Sequence, residues 1–379
     1  MAIDRVNDIN TFAKIRVVGL GGSGCNSTNR MIQSRLQGID FISINTDAQA
    51  LLMSHSATKI QIGENLTKGL GSGGDPEIGR QAAEESRERL KEDLSGADMI
   101  FITCGQGGGT GTGASPIIAE IAKEIGILTI AVVTKPFEFE GTKRKFVADE
   151  GIQKLKDKVD TLIVVPNQRI LQVIDKKTPI LDAFKKIDSV LHQGVKGIAE
   201  LITTPGLINV DFADVRTVMS NAGTALMGIG VGSGEKRALA AIKQAISSPL
   251  LDASIEGARG VLFNFVGGPD LTMSEIDEAA SIIAKSVDPD ADIIFGAVID
   301  ESLMDQIKIT LIATKFDDKR LRLFRFKREE PAEKIEKKDE DASEEKAKAS
   351  SLEEDIEATE EELLEAESEF DIPAFLRKK

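Results

Sequence analysis

Short apolar runs alternate with longer stretches of helical spacing from residue 15 to about residue 165. The runs at 15–20, 41–44, 99–103, 128–134 and 161–165 are apolar on both faces, as strands sandwiched between helical layers are. Between them, residues 75–94 open with Asp-Pro and place Glu77 in the first turn, the pattern of a helix start. This alternation predicts a doubly wound α/β domain on a parallel sheet. A stripe follows at three- and four-residue spacing: Ile180, Leu181, Phe184, Ile187, Val190, Leu191, Val195, Ile198 and Leu201. It predicts a long helix over residues 179–203, a rod between two domains.

A second α/β unit follows at 204–326. Its strand candidates are 225–231, 261–266, 293–299 and 307–313, and 321–326 alternates Leu or Phe with Arg as a last edge strand would. Residues 327–369 are dominated by Glu, Lys, Ala, Ser and Asp. That composition buries too little apolar surface to offset chain entropy, so a disordered acidic linker is expected, with transient helix near 352–364. The last ten residues, 370–379, regain apolar character at Ile372, Phe375 and Leu376 and end in Arg377 and two lysines. They read as a docking peptide. The expected organisation is therefore a first α/β domain at 1–178, the connecting helix, a second α/β domain, the linker and the peptide.

Charge sharpens this division. The net charge is -15, and residues 329–379 alone hold 20 acidic against 8 basic residues. The body is close to neutral, without the clustered Lys and Arg that phosphate backbones demand, so no nucleic-acid partner is expected. Aromatics are 4%, with no Trp or Tyr; the core is to be built from aliphatics and Phe. Two cysteines, Cys25 and Cys104, make no disulfide framework, and the chain reads as cytoplasmic. No secretory leader and no membrane-spanning segment are expected. With only His55 and His192, a three-His zinc site is impossible, and neither a G-x-S-x-G elbow nor a C-x-x-C pair occurs.

The candidate chemistry lies in glycine. Gly19-Leu20-Gly21-Gly22-Ser23-Gly24 follows a strand and precedes a helix, with Asp47 further on. This is the dinucleotide fingerprint, which alone admits an NAD-dependent oxidoreductase or a bare strand-to-helix turn. A second segment, from Gly105 to Gly113, holds six glycines and two threonines in the same context. Bare N–H groups aimed from a helix start cradle phosphate. A third cluster, from Gly69 to Gly74, precedes the 75–94 helix and reads as a terminal-phosphate contact or a flexible loop. Walker A is absent, so phosphate is to be held by backbone amides rather than by a P-loop lysine.

Across nearly its whole length the chain resembles the tubulin/FtsZ family, in particular its bacterial cell-division members. The matching segments begin with Gly21-Gly22-Ser23-Gly24-Cys25-Asn26, Asn45-Thr46-Asp47-Ala48-Gln49-Ala50-Leu51 and the run from Gly107 to Gly113. Further on come Lys135-Pro136-Phe137-Glu138-Phe139-Glu140-Gly141, Asn209-Val210-Asp211-Phe212-Ala213-Asp214 and Asp371-Ile372-Pro373-Ala374-Phe375-Leu376. The resemblance implies nucleotide contacts at Gly22, Ser23, Gly24, Cys25, Asn26, Gly109, Thr110 and Gly111. It implies ribose and phosphate contacts at Glu140 and Arg144, and residues around guanine at Asn167, Phe184 and Asp188. GTP as substrate, GDP as product, Mg²⁺, filament formation in the mid-cell division ring, and tethers such as FtsA bound by residues 371–377 follow in the same way. The chain departs from the family at Ser23 and Cys25, where glycine is usual, and at Gln106, where Met or Leu is common.

Guanine suits Asp188 on physical grounds, since an ionised carboxylate is acceptor-only and guanine presents paired N1–H and N2–H donors; a solvated helix-face carboxylate is the plainer alternative. Phe184, one turn earlier, either stacks on the base or packs in the core. Asn209, Asp211 and Asp214 lie beyond the far end of the connecting helix, and 14 helical steps separate residue 188 from residue 202, roughly 21 Å. If the start of the helix meets the base, the acidic residues lie far from their own molecule's phosphates. They complete the next subunit's site, in a heterologous contact that generates an open filament, or cap a helix, and the two roles are compatible.

Overall fold

The computed structural model describes residues 13–36, 38–171, 178–204, 206–248, 251 and 253–316. The expected edge strand at 321–326, the acidic linker and the terminal peptide lie outside the described residues.

Among the described residues, ten strands form the sheet: β1 (Ile15–Leu20), β2 (Ile39–Asn45), β3 (Thr58–Gln61), β4 (Met99–Gly105), β5 (Leu128–Lys135), β6 (Thr161–Pro166), β7 (Gly223–Ser233), β8 (Gly260–Gly267), β9 (Asp292–Ile299) and β10 (Gln306–Thr314). Their spatial order is β3-β2-β1-β4-β5-β6-β7-β10-β8-β9. Pairing is parallel except at β10, which runs antiparallel to both β7 and β8. The two α/β units thus share one sheet: the start of the 11-residue β7 pairs with β6, and the rest pairs with β10.

The helices are α1 (Gly21–Gln33), α2 (Ala48–Leu52), α3 (Glu64–Thr67), α4 (Pro76–Glu85), α5 (Arg87–Leu94), α6 (Gly109–Glu124), α7 (Thr142–Lys156), α8 (Asn167–Ile170), α9 (Ile180–Thr203), α10 (Phe212–Met219), α11 (Arg237–Ile246) and α12 (Met273–Ser286). The sequence predicts one helix over 75–94; the chain forms two, broken at Ser86, where the backbone leaves helical geometry. The expected connecting helix is α9. Strand β3 carries too few apolar residues to be read from pattern: it is an edge strand in which Ile60 alone is fully buried.

Three apolar cores hold these layers. Helices α4 to α7 cover one face of β1–β6. Helices α9 and α10 cover the other face and continue onto β7, β8 and β10, so α9 binds the two halves of the sheet through a single core. Helices α11 and α12 cover the opposite side of the second half. Each fully buried Ile, Leu or Val contributes roughly 1.5–3 kcal/mol relative to exposure. Glycine lets α9 lie close: a Cβ on Gly194 would stand 2.7 Å from the Met227 sulfur, and one on Gly197 2.7 Å from a Thr310 methyl.

Candidate functional site

From β1 the chain moves outward to β2 and β3, then returns to place β4 on the other side of β1. Ligands of open parallel sheets bind at such a reversal, beyond the carboxyl ends of the strands. Both glycine-rich segments lie there. They are less loop than helix: α1 begins at Gly21 and α6 at Gly109, so Gly22 to Gly24 and Gly109 to Gly113 form first turns.

A helix start leaves four N–H groups without internal partners. Helices α2, α4, α10 and α12 answer them with side-chain caps from Asp47, Asp75, Asp211 and Thr272. Helices α1 and α6 have no side-chain cap and no acidic residue in the first turn, and α7, entered through Gly141, is likewise uncapped. A Cβ on Gly22 or Gly108 would meet nothing within 4 Å. No atom of the chain requires glycine at those two positions, whereas an anion approaching the backbone would. Other glycines answer to packing: a Cβ on Gly24 would collide with the Thr103 carbonyl, and one on Gly113 with that of Pro76. Glycine richness here therefore has two causes, an open cradle and a close seating of α4 on α6.

Hydroxyls hold the cradle in shape. Thr110 Oγ1 lies 2.7 Å from Thr46 Oγ1 and 3.0 Å from Ser72 Oγ, tying the second glycine segment to the loop after β2 and to the third glycine cluster. Thr112 Oγ1 accepts from the Gly107 N–H at 2.9 Å. On the other flank, the Arg144 carbonyl lies 2.7 Å from where a Gly107 Cβ would sit. Arg144 Nη1 pairs with Glu140 Oε2 at 3.0 Å, and Glu140 Oε1 accepts from the Phe137 N–H at 2.8 Å. Gly22, Ser23 and Asn26 are exposed at the open end of α1. Cys25 is not: its thiol points into the core, 3.8 Å from the Gly19 carbonyl oxygen, and burial pushes its pKa up to about 11. Cys25 therefore offers a ligand its backbone alone. Burial lifts Cys104, beneath the second segment, to about 12.

Asn167 opens α8 directly after β6, at the same edge of the sheet. Its Oδ1 is buried and has no hydrogen-bond partner, an orphan acceptor that a ligand donor would satisfy. Asp188, on α9, receives a hydrogen bond from Ser27 Oγ at 2.7 Å and stands 2.5 Å from Arg30 Nη1. Burial raises its pKa, and the Ser27 hydroxyl and the Arg30 charge pull it back. The side chain of Phe184 lies outside the described residues.

Asn209, Asp211 and Asp214 stand apart. The bridge from Ile208 to Ala297 ties their loop to β9 in the second half of the sheet. Asn209 Oδ1 accepts from the Gly206 N–H at 2.6 Å, and Asp211 Oδ1 accepts from the Asp214 N–H at 2.8 Å. Asp211 thus caps α10, as the plainer reading expects, while the Asp214 side chain is exposed. Sequence reasoning missed Ser27 and Arg30, and took Ser72 only as part of the third glycine cluster. The Ser27–Arg30 spacing marks one helix face, but nothing in the sequence joins it to a carboxylate 161 positions away.

Among the described residues no group of three or more His, Cys, Asp and Glu side chains forms a metal cluster, and no helix is long and apolar enough to cross a membrane. Residues 14–175 match the tubulin/FtsZ family GTPase domain, and residues 223–317 match the FtsZ family C-terminal domain. The structure is similar to an empty FtsZ dimer from M. jannaschii, with TM-score 0.77 and 49% identity over 80% of this chain and 88% of that one. A point mutant of the same FtsZ gives the same score and identity over 80% of this chain and 91% of its own length. CetZ2 from Haloferax volcanii, solved as a protofilament bound to GTPγS, shares the fold at TM-score 0.68 and 19% identity, covering 83% of this chain and 99% of that one. These matches carry the family, not the bacterial origin that the resemblance suggested, and they displace the NAD-dependent alternative. The chain belongs to the tubulin/FtsZ family.

Proposed function

We propose that this chain is a GTPase that polymerises head to tail, each nucleotide being hydrolysed at the junction of two subunits. One observation carries the reading. The glycine cradle and the Asn209–Asp214 segment lie at opposite ends of α9, whose 24 residues span roughly 36 Å. An acidic loop so far from its own phosphates serves those of the next subunit. Exposed apolar side chains fit the same arrangement. Leu70 is exposed within the third glycine cluster, and Leu207 is exposed two residues before Asn209. Two unlike patches meeting head to tail give an open filament.

In this reading the uncapped starts of α1 and α6 hold the phosphates through Gly22, Ser23, Gly24, Cys25 and Asn26, and through Gly109, Thr110 and Gly111. Glu140 and Arg144 hold the ribose and a phosphate, and Asn167, Phe184 and Asp188 surround the guanine. Asp211 and Asp214 of the following subunit orient a water for in-line attack, with Asn209 fixing their loop. Mg²⁺ would come with the nucleotide and would supply charge neutralisation there, in keeping with its preference for phosphates, waters and few carboxylates. The filament serves the mid-cell division ring in the cytoplasm, and residues 371–377 bind a membrane tether such as FtsA.

GTP hydrolysis with Mg²⁺, measured across protein concentrations with sedimentation in parallel, tests this. Activity should appear above a threshold together with pelleting; activity strictly proportional to protein, with nothing pelleting, overturns it. Asp214→Ala should still bind GTP and pellet, but lose turnover by ~100-fold or more, as loss of a group that handles the attacking water does. Removing residues 370–379 should spare hydrolysis and abolish tether binding.

A further inference from the structure

Asp188 does not stand alone on α9. Ser27 and Arg30, one turn apart on α1, face it together: Ser27 Oγ donates to Oδ1 at 2.7 Å, and Arg30 Nη1 lies 2.5 Å from Oδ2. The Asp188 side chain is 12% exposed and Ser27 is fully buried. The buried Arg30 Nη1 makes no directed hydrogen bond, so its contact with Asp188 is a close ionic one. Asp188 and Ser27 are largely shut off from water, where charge is costly to hold, while the Arg30 side chain is 35% exposed.

We propose that Arg30, assisted by Ser27, is a specificity-determining positioning residue that fixes the Asp188 carboxylate for recognition of a purine carrying paired ring N–H and exocyclic amino donors. The inference rests on the reading that Asp188 meets guanine, and goes beyond it by assigning the pair on α1. The argument is geometric. A carboxylate on a helix side chain has free rotation at its last torsion, so its accepting lone pairs are not aimed by α9 alone. Two contacts, one to each oxygen, remove that freedom. The Ser27 hydroxyl takes one acceptor position on Oδ1 and the Arg30 charge holds Oδ2 toward α1, leaving acceptor capacity on both oxygens for two donors. Because α1 also carries the first glycine turn, base and phosphate recognition are referred to one rigid helix. A purine with one donor fewer leaves an oriented, desolvated acceptor unpaired, which is how a polar site discriminates.

The experiment measures equilibrium binding of GTP and of inosine triphosphate, which lacks the 2-amino group, to the full chain. It is run below the concentration at which the protein pellets. The GTP-to-inosine ratio is the readout, with thermal unfolding as the control. Arg30→Ala should cut that ratio by about tenfold, chiefly through weaker GTP binding, since a hydrogen bond to a charged group depends on its aim. Arg30→Lys should restore part of the ratio, and Ser27→Ala should lower it less than Arg30→Ala does. Should Arg30→Ala not fold, the Lys and Ser27 variants carry the comparison. Asp188→Asn isolates the underlying reading: it should abolish the preference for GTP and favour xanthosine triphosphate, whose 2-oxo group accepts from the new amide. An unchanged ratio in Asp188→Asn overturns the guanine reading itself. If Asp188→Asn loses the preference while Arg30→Ala keeps it, or weakens both nucleotides equally, Arg30 is a structural prop and the inference fails.

Discussion

Two kinds of helix start stand in contrast in this molecule. At α4, α10 and α12 the first turn is closed by the chain itself: Asp75, Asp211 and Thr272 accept from N–H groups two or three residues further on, and α12 adds a full capping box with Glu275. At α1 and α6 nothing is supplied, and the neighbouring glycines Gly22 and Gly108 face open space. A cap contributes about 1 kcal/mol to a helix, so leaving it out twice, at one edge of one sheet, forgoes stability. A missing cap alone does not mark a ligand site, since α8 and α11 also start with neither a side-chain cap nor an acidic residue; what sets α1 and α6 apart from those two is an uncapped start joined to a glycine that faces open space.

The strongest way to break the comparison is to close an open end. In Gly108→Asp a carboxylate sits where a phosphate is expected and offers α6 the cap it lacks. The variant should keep or slightly gain thermal stability and lose GTP affinity by ~100-fold or more, because charge repulsion and occupied N–H groups act together. Unfolding midpoint and nucleotide titration on the same sample check both arms. Intact GTP binding in Gly108→Asp would remove α6 from the site.

Gly113→Ala sharpens the contrast from within the same segment. Its Cβ would run into the Pro76 carbonyl oxygen, a backbone atom that cannot swing aside. Overpacking of this kind costs about 1–3 kcal/mol, so chemical denaturation should show lower stability. Gly108→Ala, which adds the same methyl into open space, should leave the midpoint unchanged. Glycine content alone does not tell these positions apart, since both lie in one run of Gly and Thr.

That pair also shows how far the sequence is legible. Buried strands announce themselves by two-sided apolar runs, and α9 by its stripe, because both patterns arise from burial that the residue types themselves demand. The glycine segments are visible as candidates because few folds tolerate so much backbone freedom. What the sequence withholds is pairing across distance. Ser27 and Arg30 meet Asp188 only because α1 and α9 lie side by side on one face of the sheet. The halves share a single sheet only because β7 is long enough to pair with β6 at one end and β10 at the other. Ser86 gives no warning that it splits a helix.

The smallest effect expected lies at the closed end of α12. Glu275 Oε2 accepts from the Thr272 N–H at 2.9 Å, and its carboxylate is forked by Arg237, which also pairs with Asp270. Hydrogen bonding from Arg237, with help from Thr272, pulls the Glu275 carboxyl down from 4.5 to about 2. A carboxyl whose folded pKa lies below its unfolded one binds fewer protons when folded. Its stabilisation is complete above about pH 4.5 and is lost as pH falls toward 2. Glu77, on α4, is pulled to about 2 chiefly by Arg80, yet that pair lies on the exposed surface, where screening and side-chain entropy leave little net effect. The two carboxyls therefore make a matched test. Glu275→Gln should lower stability at neutral pH and flatten the acid limb of the stability curve between pH 4.5 and 2. Glu77→Gln should leave that limb almost as it was. Thermal unfolding across that pH range checks both, and equal flattening in the two variants would show that the closed end of α12 owes nothing to the buried arginine behind it.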